Sequence, residues 1–459
     1  MQRSHYVRGV LLAAAASLPL ASAVVAHAST DSAGDPGSSV FVQTNGPTGN
    51  AIAVYDRHAD GTLTWEATHA TGGNGGRAAG SNSDPLASQG SLVYDAHSSL
   101  LLAVNAGSNS ISVFGVHGES LDLRQTLPSG GAFPVSLAVH GDAVYVLNAG
   151  SAANVSGFRI ADGRLHPLRD DIRTLGLNET NPPQFLASPA QVGFTPTGRQ
   201  LIVTGKTNNF IDVFAVRGDD RLAGSLVQTP DGSVPFAFTF SPSNQLELVN
   251  AAGNLAQSDV HHDGAVTPDG APVANGQAAS CWIATARDFA YVANTGSNDV
   301  SVYHVSDSGT VTLVNATAAS GVSGAIDETT AGGGRFLYVQ VGLGSSVNAY
   351  AVHWDGTLSL IQTVAVPEAP ARRESPPPEP ARHVRWGRAV RPRPWRLQGP
   401  PGHQGWSWSG ASRAPSRGRR SGQRRRPAIS NSMARWLTRW RGRVSPGRPG
   451  ASGSDRAIL

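Results

Sequence analysis

Sulfur and lysine are almost missing from this chain of 459 residues: Cys281 is its one cysteine and Lys206 its one lysine. A lone thiol excludes an intrachain disulfide and any cysteine-built metal centre, so the fold must hold by burial alone. Arginine takes the place of lysine in 35 of the 36 Lys/Arg positions, a bias that points to GC-rich coding sequence. No apolar run after the first 28 residues approaches the ~20 residues a membrane-spanning helix needs. A Gly-rich phosphate loop, a nucleophile elbow and a zinc signature are all lacking as well. Neither a cofactor nor a metal is therefore expected.

At the start, Arg3 and Arg8 precede the apolar run Val10–Ala16, and Ala26-His27-Ala28 offers a small-x-small cleavage site. Residues 1–28 read as a secretory signal, which gives a secreted protein with no membrane span after cleavage. The formal net charge of +4 conceals two opposed parts. Residues 370–459 carry 21 arginines against Glu374, Glu379 and Asp455, a net +18, while the rest has 15 basic and 29 acidic residues, a net −14. That negative body disfavours nucleic acid as its partner.

What the chain has in abundance is one phrase. Val-Asn-Ala-Gly-Ser-Asn at 104–109 returns as Leu-Asn-Ala-Gly-Ser-Ala at 147–152, Val-Asn-Ala-Ala-Gly-Asn at 249–254 and Ala-Asn-Thr-Gly-Ser-Asn at 293–298. More divergent copies start at 42, 203 and 339, and the steps from Asn105 to Asn148 and from Asn250 to Asn294 are 43 and 44 residues. Short β-branched runs flank each copy, as in Gln191–Phe194, Leu201–Thr204, Ile211–Val216 and Leu222–Gln228, separated by turns such as Thr195-Pro196-Thr197-Gly198. Four short strands per unit at that period are the pattern of a propeller blade. Asp-Gly pairs at 60, 162, 263 and 355 suit the outer hairpins, because both residues tolerate positive φ. The spacing predicts an all-β, seven-bladed β-propeller of four-stranded antiparallel blades over residues 38–368. Two insertions, Gly72–Ser88 and Leu168–Ser188, interrupt the period and are either functional loops or linkers.

The first unit is short of a strand. Val40–Thr44, Ala51–Asp56 and Thr62–Thr68 supply three, and nothing ahead of Val40 reads as the innermost one. Propellers commonly take that strand from the far end of the chain, but after Pro367 comes a proline-rich stretch unfit to donate a ladder. The first blade is therefore expected to lack its closing strand. From residue 369 the chain is rich in Arg, Pro and Gly and holds six of the nine tryptophans with no hydrophobic period. It reads as a disordered tail, either a basic arm for polyanions or a product of out-of-frame translation. Loss of the closing strand at the same point favours the second.

The block Tyr291-Val292-Ala293-Asn294 and its sister phrases resemble the YVTN-type repeat. Together with Ser88–Val93 and Pro189–Pro196 they resemble the secreted members of the lactonase family of seven-bladed β-propellers, over residues 38–368. That resemblance implies 6-phosphogluconolactonases and carboxymuconate-cyclising enzymes as relatives, acting on lactone–carboxylate pairs without a metal. It also implies a histidine after Pro189, where this chain has Ala190, and a Gly-rich apolar last strand that the tail does not supply.

In a four-strand meander that starts at the axis, the start of the first strand and the end of the second share one face. Topology thus gathers Gln89, Gln191, Trp282 and Glu328 with Asn105, Asn148, Lys206, Asn250, Asn294 and Gln340 around a shaft. Amides offer donors and acceptors together, which suits a small polar or anionic ligand. Lys206 is the candidate anchor for a carboxylate or phosphate, and Lys206 and Glu328 are the only catalytic candidates. His261-His262-Asp263 resembles a metal cluster, but adjacent side chains on a strand point to opposite faces. With no acid–base pair in view, the expectation is a secreted, monomeric, non-catalytic propeller that binds a small ligand, glycan or cell-surface partner. A metal-free lactonase-like hydrolase is the alternative.

Overall fold

In the computed structural model, residues 39–306, 308–367 and 456–459 are described. The expected leader at 1–28 and the tail from 369 to 455 lie outside them. The described residues form seven sheets arranged as a seven-bladed β-propeller. Their only helical element is a 3-10 turn at Ala106–Ser108.

Blade 4 shows the plan. Pro189–Phe194 lies innermost, Gln200–Gly205 and Phe210–Val216 follow, and Leu222–Pro230 is outermost, each antiparallel to the next. Burial peaks at the second strand and falls from there outward. The second strand of blade 4 is buried at every residue, whereas in the fourth only Leu222 is buried and the rest are half-buried or exposed. The middle strands therefore read as continuous β-branched runs because both of their faces meet neighbouring blades. Blade 2 begins at Leu92–Asp95, blade 3 at Ala132–His140, blade 5 at Pro235–Phe240, blade 6 at Ser280–Ala286 and blade 7 at Ala325–Ala331. Asp-Gly turns close the outer hairpins as expected, with φ of +87° at Gly61 and +82° at Gly356.

The tyrosine of the repeated phrase bolts one blade to the next. Tyr145 on the second strand of blade 3 donates to the Asp220 carbonyl in the outer turn of blade 4 at 2.8 Å. Tyr291 of blade 6 donates to Gly356 O of blade 7, and Tyr338 of blade 7 to Gly61 O of blade 1, both at 3.0 Å. Space at these turns is so tight that a Cβ on Gly356 would stand 2.5 Å from the Phe289 ring of blade 6. Each bolt satisfies a carbonyl that hairpin geometry leaves without a ladder partner.

The first blade corrects one expectation: it has four strands. Ala457–Ile458 pairs with Ser39–Gln43, which continues into Ala51–Arg57 and Leu63–Ala70. Val40 faces Ala457 and Phe41 faces Ile458, and the Leu459 N–H reaches Phe41 O at 2.7 Å while Gln43 N–H reaches Leu459 O at 2.8 Å. The tail was expected to be disordered throughout, yet these last residues are ordered against the first blade. Ala457 and Leu459 are buried with Val40, Val42, Ala53 and Tyr55. The pairing is parallel, unlike the antiparallel innermost strands of the other six blades. It spans two residues where those span four to nine.

Two substitutions test this frame. Tyr291→Phe leaves the Gly356 carbonyl without its donor and is expected to cost about 1–3 kcal/mol, read as a lower denaturant midpoint at unchanged slope. Deleting Arg456–Leu459 reopens the inner edge of Val40–Gln43 and exposes Leu459's niche. It is expected to cost about 3–5 kcal/mol from lost side-chain burial and backbone hydrogen bonds, with concentration-dependent aggregation through the freed edge.

Candidate functional site

The two insertions meet over the shaft. Ala79 of the first pairs with Gln184 of the second in an isolated parallel bridge, with Ala79 N–H on Pro183 O at 2.8 Å and Phe185 N–H on Ala79 O at 3.1 Å. From there the first insertion runs into the axis as a strap over residues 84–90. Its Ser88 carbonyl accepts from Trp282 Nε1 of blade 6 at 2.9 Å, and its Gln89 N–H donates to Ala190 O of blade 4 at 3.2 Å. Gly90 O receives the Leu137 N–H of blade 3 at 2.8 Å. Gln89 closes the set, its amide bonding both the N–H and the carbonyl of Ile283 at 3.0 and 3.2 Å. One strap thus ties three blades across the centre.

Two axial cavities flank the strap. The upper, about 520 Å³, is lined by Gln43, Arg77, Asp84, Trp282, Asp327 and Gln340 among others. The lower, about 460 Å³, is lined by Gln89, Gln191, Glu328, His140 and Thr330 among others. Asp327 lines both. Leu459 and Ile458 of the closing strand reach the upper and lower cavity respectively.

A β-bulge determines which side chain faces the shaft. In blade 7, Ile326 pairs with Gln340 and Glu328 with Val339, leaving Asp327 as the extra residue. Asp327 also has φ of +34°, unusual for a residue with a Cβ. The same irregularity occurs at Ala190 in blade 4 and Cys281 in blade 6. An extra residue re-aims its neighbours and flips the faces that follow. Asp327 therefore lines the upper cavity where topology alone had put Glu328.

The carboxyls behave differently from surface acids. Asp84 is fixed in the strap, Oδ1 accepting from Leu86 N–H at 2.9 Å and Oδ2 from Ser88 N–H at 2.8 Å. Enclosure by protein pushes its pKa up to about 6, against the lowering effect of those two N–H groups and of Lys206. Enclosure and then the neighbouring charge of Asp84 raise Asp327 to about 7, against the lowering effect of the Glu328 N–H. Both keep some surface open to the cavity. Glu328 is buried, with Oε1 on the Ala293 N–H at 3.0 Å and Oε2 without a partner among the described residues. Burial holds its pKa well above the usual carboxyl range and favours the protonated form.

The anticipated ring of amides divides. Gln340 reaches the upper cavity, and Gln89 and Gln191 the lower, although Gln191 also bonds both backbone groups of Phe238 at 2.7 and 3.1 Å. Asn105, Asn148, Asn250 and Asn294 line neither cavity and are buried. Asn294 donates to Asp299 and Ser301 at 2.7 and 2.8 Å and accepts from Asn275 and Ser280. Asn105 is engaged in the same manner by Asn50, Thr71, Ser110 and Ser112. Lys206 lines neither cavity: its ammonium donates to Ala87 O at 2.7 Å and Ser188 Oγ at 2.9 Å and sits 5.5 Å from the centre of the Phe236 ring. Trp282 meets that ring edge-on with centroids 4.9 Å apart and also lines the upper cavity. His261 bonds Thr267 at its outer hairpin, and no group of three or more potential metal ligands occurs among the described residues.

No protein-family model and no curated protein matches the chain. Solved structures do. The Pseudomonas aeruginosa periplasmic gluconolactonase superimposes with a TM-score of 0.56 at 18% identity, over 71% of this chain and 95% of that one. A Bacteroides uniformis protein provisionally named 6-phosphogluconolactonase gives 0.55 at 19%, over 70% and 93%. A similarly named Bacteroides fragilis protein gives 0.53 at 18%, over 70% and 92%. At these identities the likeness establishes the shared propeller fold.

The raised carboxyls make stability depend on pH with a definite sign. A folded-state pKa above the unfolded value means that the native state binds the proton more tightly. The favourable contribution is whole below about pH 4 and is lost as pH rises through about 6 to 7. Asp327→Asn is expected to match the parent near pH 4 and to exceed it in stability at pH 8, as measured by denaturant unfolding at both values.

Proposed function

We propose that the protein is a lactone hydrolase working in the upper axial cavity on a small polyhydroxylated lactone of the gluconolactone type. The observation that carries this reading is the pair Asp84 and Asp327, two carboxyls lining one cavity of about 520 Å³, Asp84 held by two backbone N–H groups and Asp327 by one. Environments that set two acids apart are how one site holds a base and an acid at the same pH. Asp84, whose ionised form is favoured by two N–H groups and by Lys206, is the base: it takes a proton from water as the water oxygen bonds to the lactone carbonyl carbon. Asp327, whose proton is favoured by enclosure and by the charge of Asp84, is the acid: it protonates the ring oxygen as the carbon–oxygen bond breaks. The products are a hydroxy acid and a dyad that returns to its starting state by exchange with solvent. Gln43, Gln340 and the ring of Trp282 are placed to orient a polyol ring over this pair. The names of the neighbouring structures support the substrate class.

Export follows from the same reading. The Pseudomonas neighbour is periplasmic, and residues 1–28 have the pattern of a leader. No helix among the described residues is long and apolar enough to cross a membrane.

Hydrolysis of D-glucono-δ-lactone followed in a pH-stat, with the spontaneous rate subtracted, tests the proposal. The expected rate is bell-shaped in pH, falling below about 6 as Asp84 gains its proton and above about 7 as Asp327 loses its own. Asp84→Asn and Asp327→Asn should each reduce kcat by about 10²–10⁴-fold. A rate equal to the spontaneous one across a panel of lactones returns the protein to a ligand-binding role without chemistry.

A further inference from the structure

Lys206 stands where the two insertions join. Its ammonium holds Ala87 O of the first and Ser188 Oγ of the second, and it is 2% exposed. The residues after it continue the clasp: Thr207 N–H bonds Leu186 O at 3.1 Å and the Asn208 side-chain amide bonds Ala187 O at 2.6 Å. Three residues before Ala87 is Asp84, whose carboxylate is bonded by the N–H groups of Leu86 and Ser88 on either side of that carbonyl. Ala87 itself has φ of +52°, a left-handed conformation that needs an external hold.

We infer that Lys206 is a positioning residue for Asp84, pinning the strap that carries this carboxylate to blade 4 and to the second insertion. The inference rests on the proposed role of Asp84 and extends it to a residue that does not touch the substrate cavity. A buried ammonium with two hydrogen bonds and an aromatic face is fixed in place, and a fixed charge behind a carboxylate favours its ionised form. Burial pulls the Lys206 ammonium down to about 7, against the raising effect of Asp84, Cys281 and Glu179, the groups that face it, so around the Asp84 midpoint of about 6 it is still a cation. Asp84 in turn feels the charges of Lys206 and Asp327. An ordinary structural lysine would support the fold without altering how Asp84 titrates. A positioning lysine must do both.

The test reads Asp84 directly, by carbon-13 NMR of the full chain labelled at aspartate carboxyls, with Asp84→Asn used to assign the signal and no substrate present. Lys206→Met removes both charge and hydrogen bonds. Lys206→Gln keeps donors for Ala87 O and Ser188 Oγ without the charge and remains informative if the methionine variant does not fold. Ser188→Ala keeps the charge and removes one partner. The expected result is an Asp84 midpoint above about 6 in both Lys206 variants and close to the parent in Ser188→Ala. In the pH-stat the acid limb of lactone hydrolysis should move upward by the same amount. An unmoved midpoint in the glutamine variant overturns the inference, whatever the activity. A shifted midpoint in a protein that hydrolyses no lactone upholds the placement of Asp84 and removes the catalytic reading alone.

Discussion

Seven blades packed face to face leave an axis that none of them can fill. Each innermost strand offers its free edge to that axis, and buried backbone groups there need partners. In this protein a segment of the chain supplies them: the strap at residues 84–90 enters the shaft and bonds blades 3, 4 and 6. The remaining architecture depends on that crossing. It divides the shaft into two cavities, brings Asp84 to the wall of the upper one, and gives Lys206 a carbonyl to hold.

The repeated phrase has a division of labour within each unit. Tyr145, Tyr291 and Tyr338 reach forward to the next blade's outer turn, while Asn105 and Asn294 are buried and join their own strands to the preceding blade through Asn50 and Thr71 and through Asn275. A signal present in every unit is therefore mostly a signal about folding. That is why the propeller could be read from the chain alone: blade 4 was expected at 191–194, 201–204, 211–216 and 222–228 and is found within a few residues of those limits. It is also why the amides of the phrase were poor guides to a site. The residues that gather at the cavity break the repeat instead. Asp327 occupies a bulge, and one extra residue exchanges the face of every residue beyond it, so counting along the strand selected Glu328. Asp84 sits in an insertion with no period by which to place it. The visible signal was the insertion itself, two long Gly- and Pro-bearing interruptions in an otherwise regular series.

Closure of the ring illustrates how little sequence a strand can need. Ala457-Ile458-Leu459 is too short to show alternation, and its neighbours in the chain carry no strand pattern. Its side chains fill niches that the other blades fill with longer innermost strands, and two hydrogen bonds at 2.7 and 2.8 Å fix it to Phe41 and Gln43. The parallel direction sets this blade apart from the other six. Because Ile458 and Leu459 line the two axial cavities, the closing strand also shapes the space available to a ligand.

The central claim is that the strap and the bulge together make the upper cavity a reaction site. A crystal structure of the protein with the lactam of gluconic acid, a ring whose amide resonance makes it open far more slowly, tests it most directly. The account predicts the lactam in the upper cavity, its carbonyl carbon between the carboxyls of Asp84 and Asp327 and its hydroxyls on Gln43 and Gln340. A lactam seated in the lower cavity, or an upper cavity left empty while the ligand binds elsewhere, would contradict it.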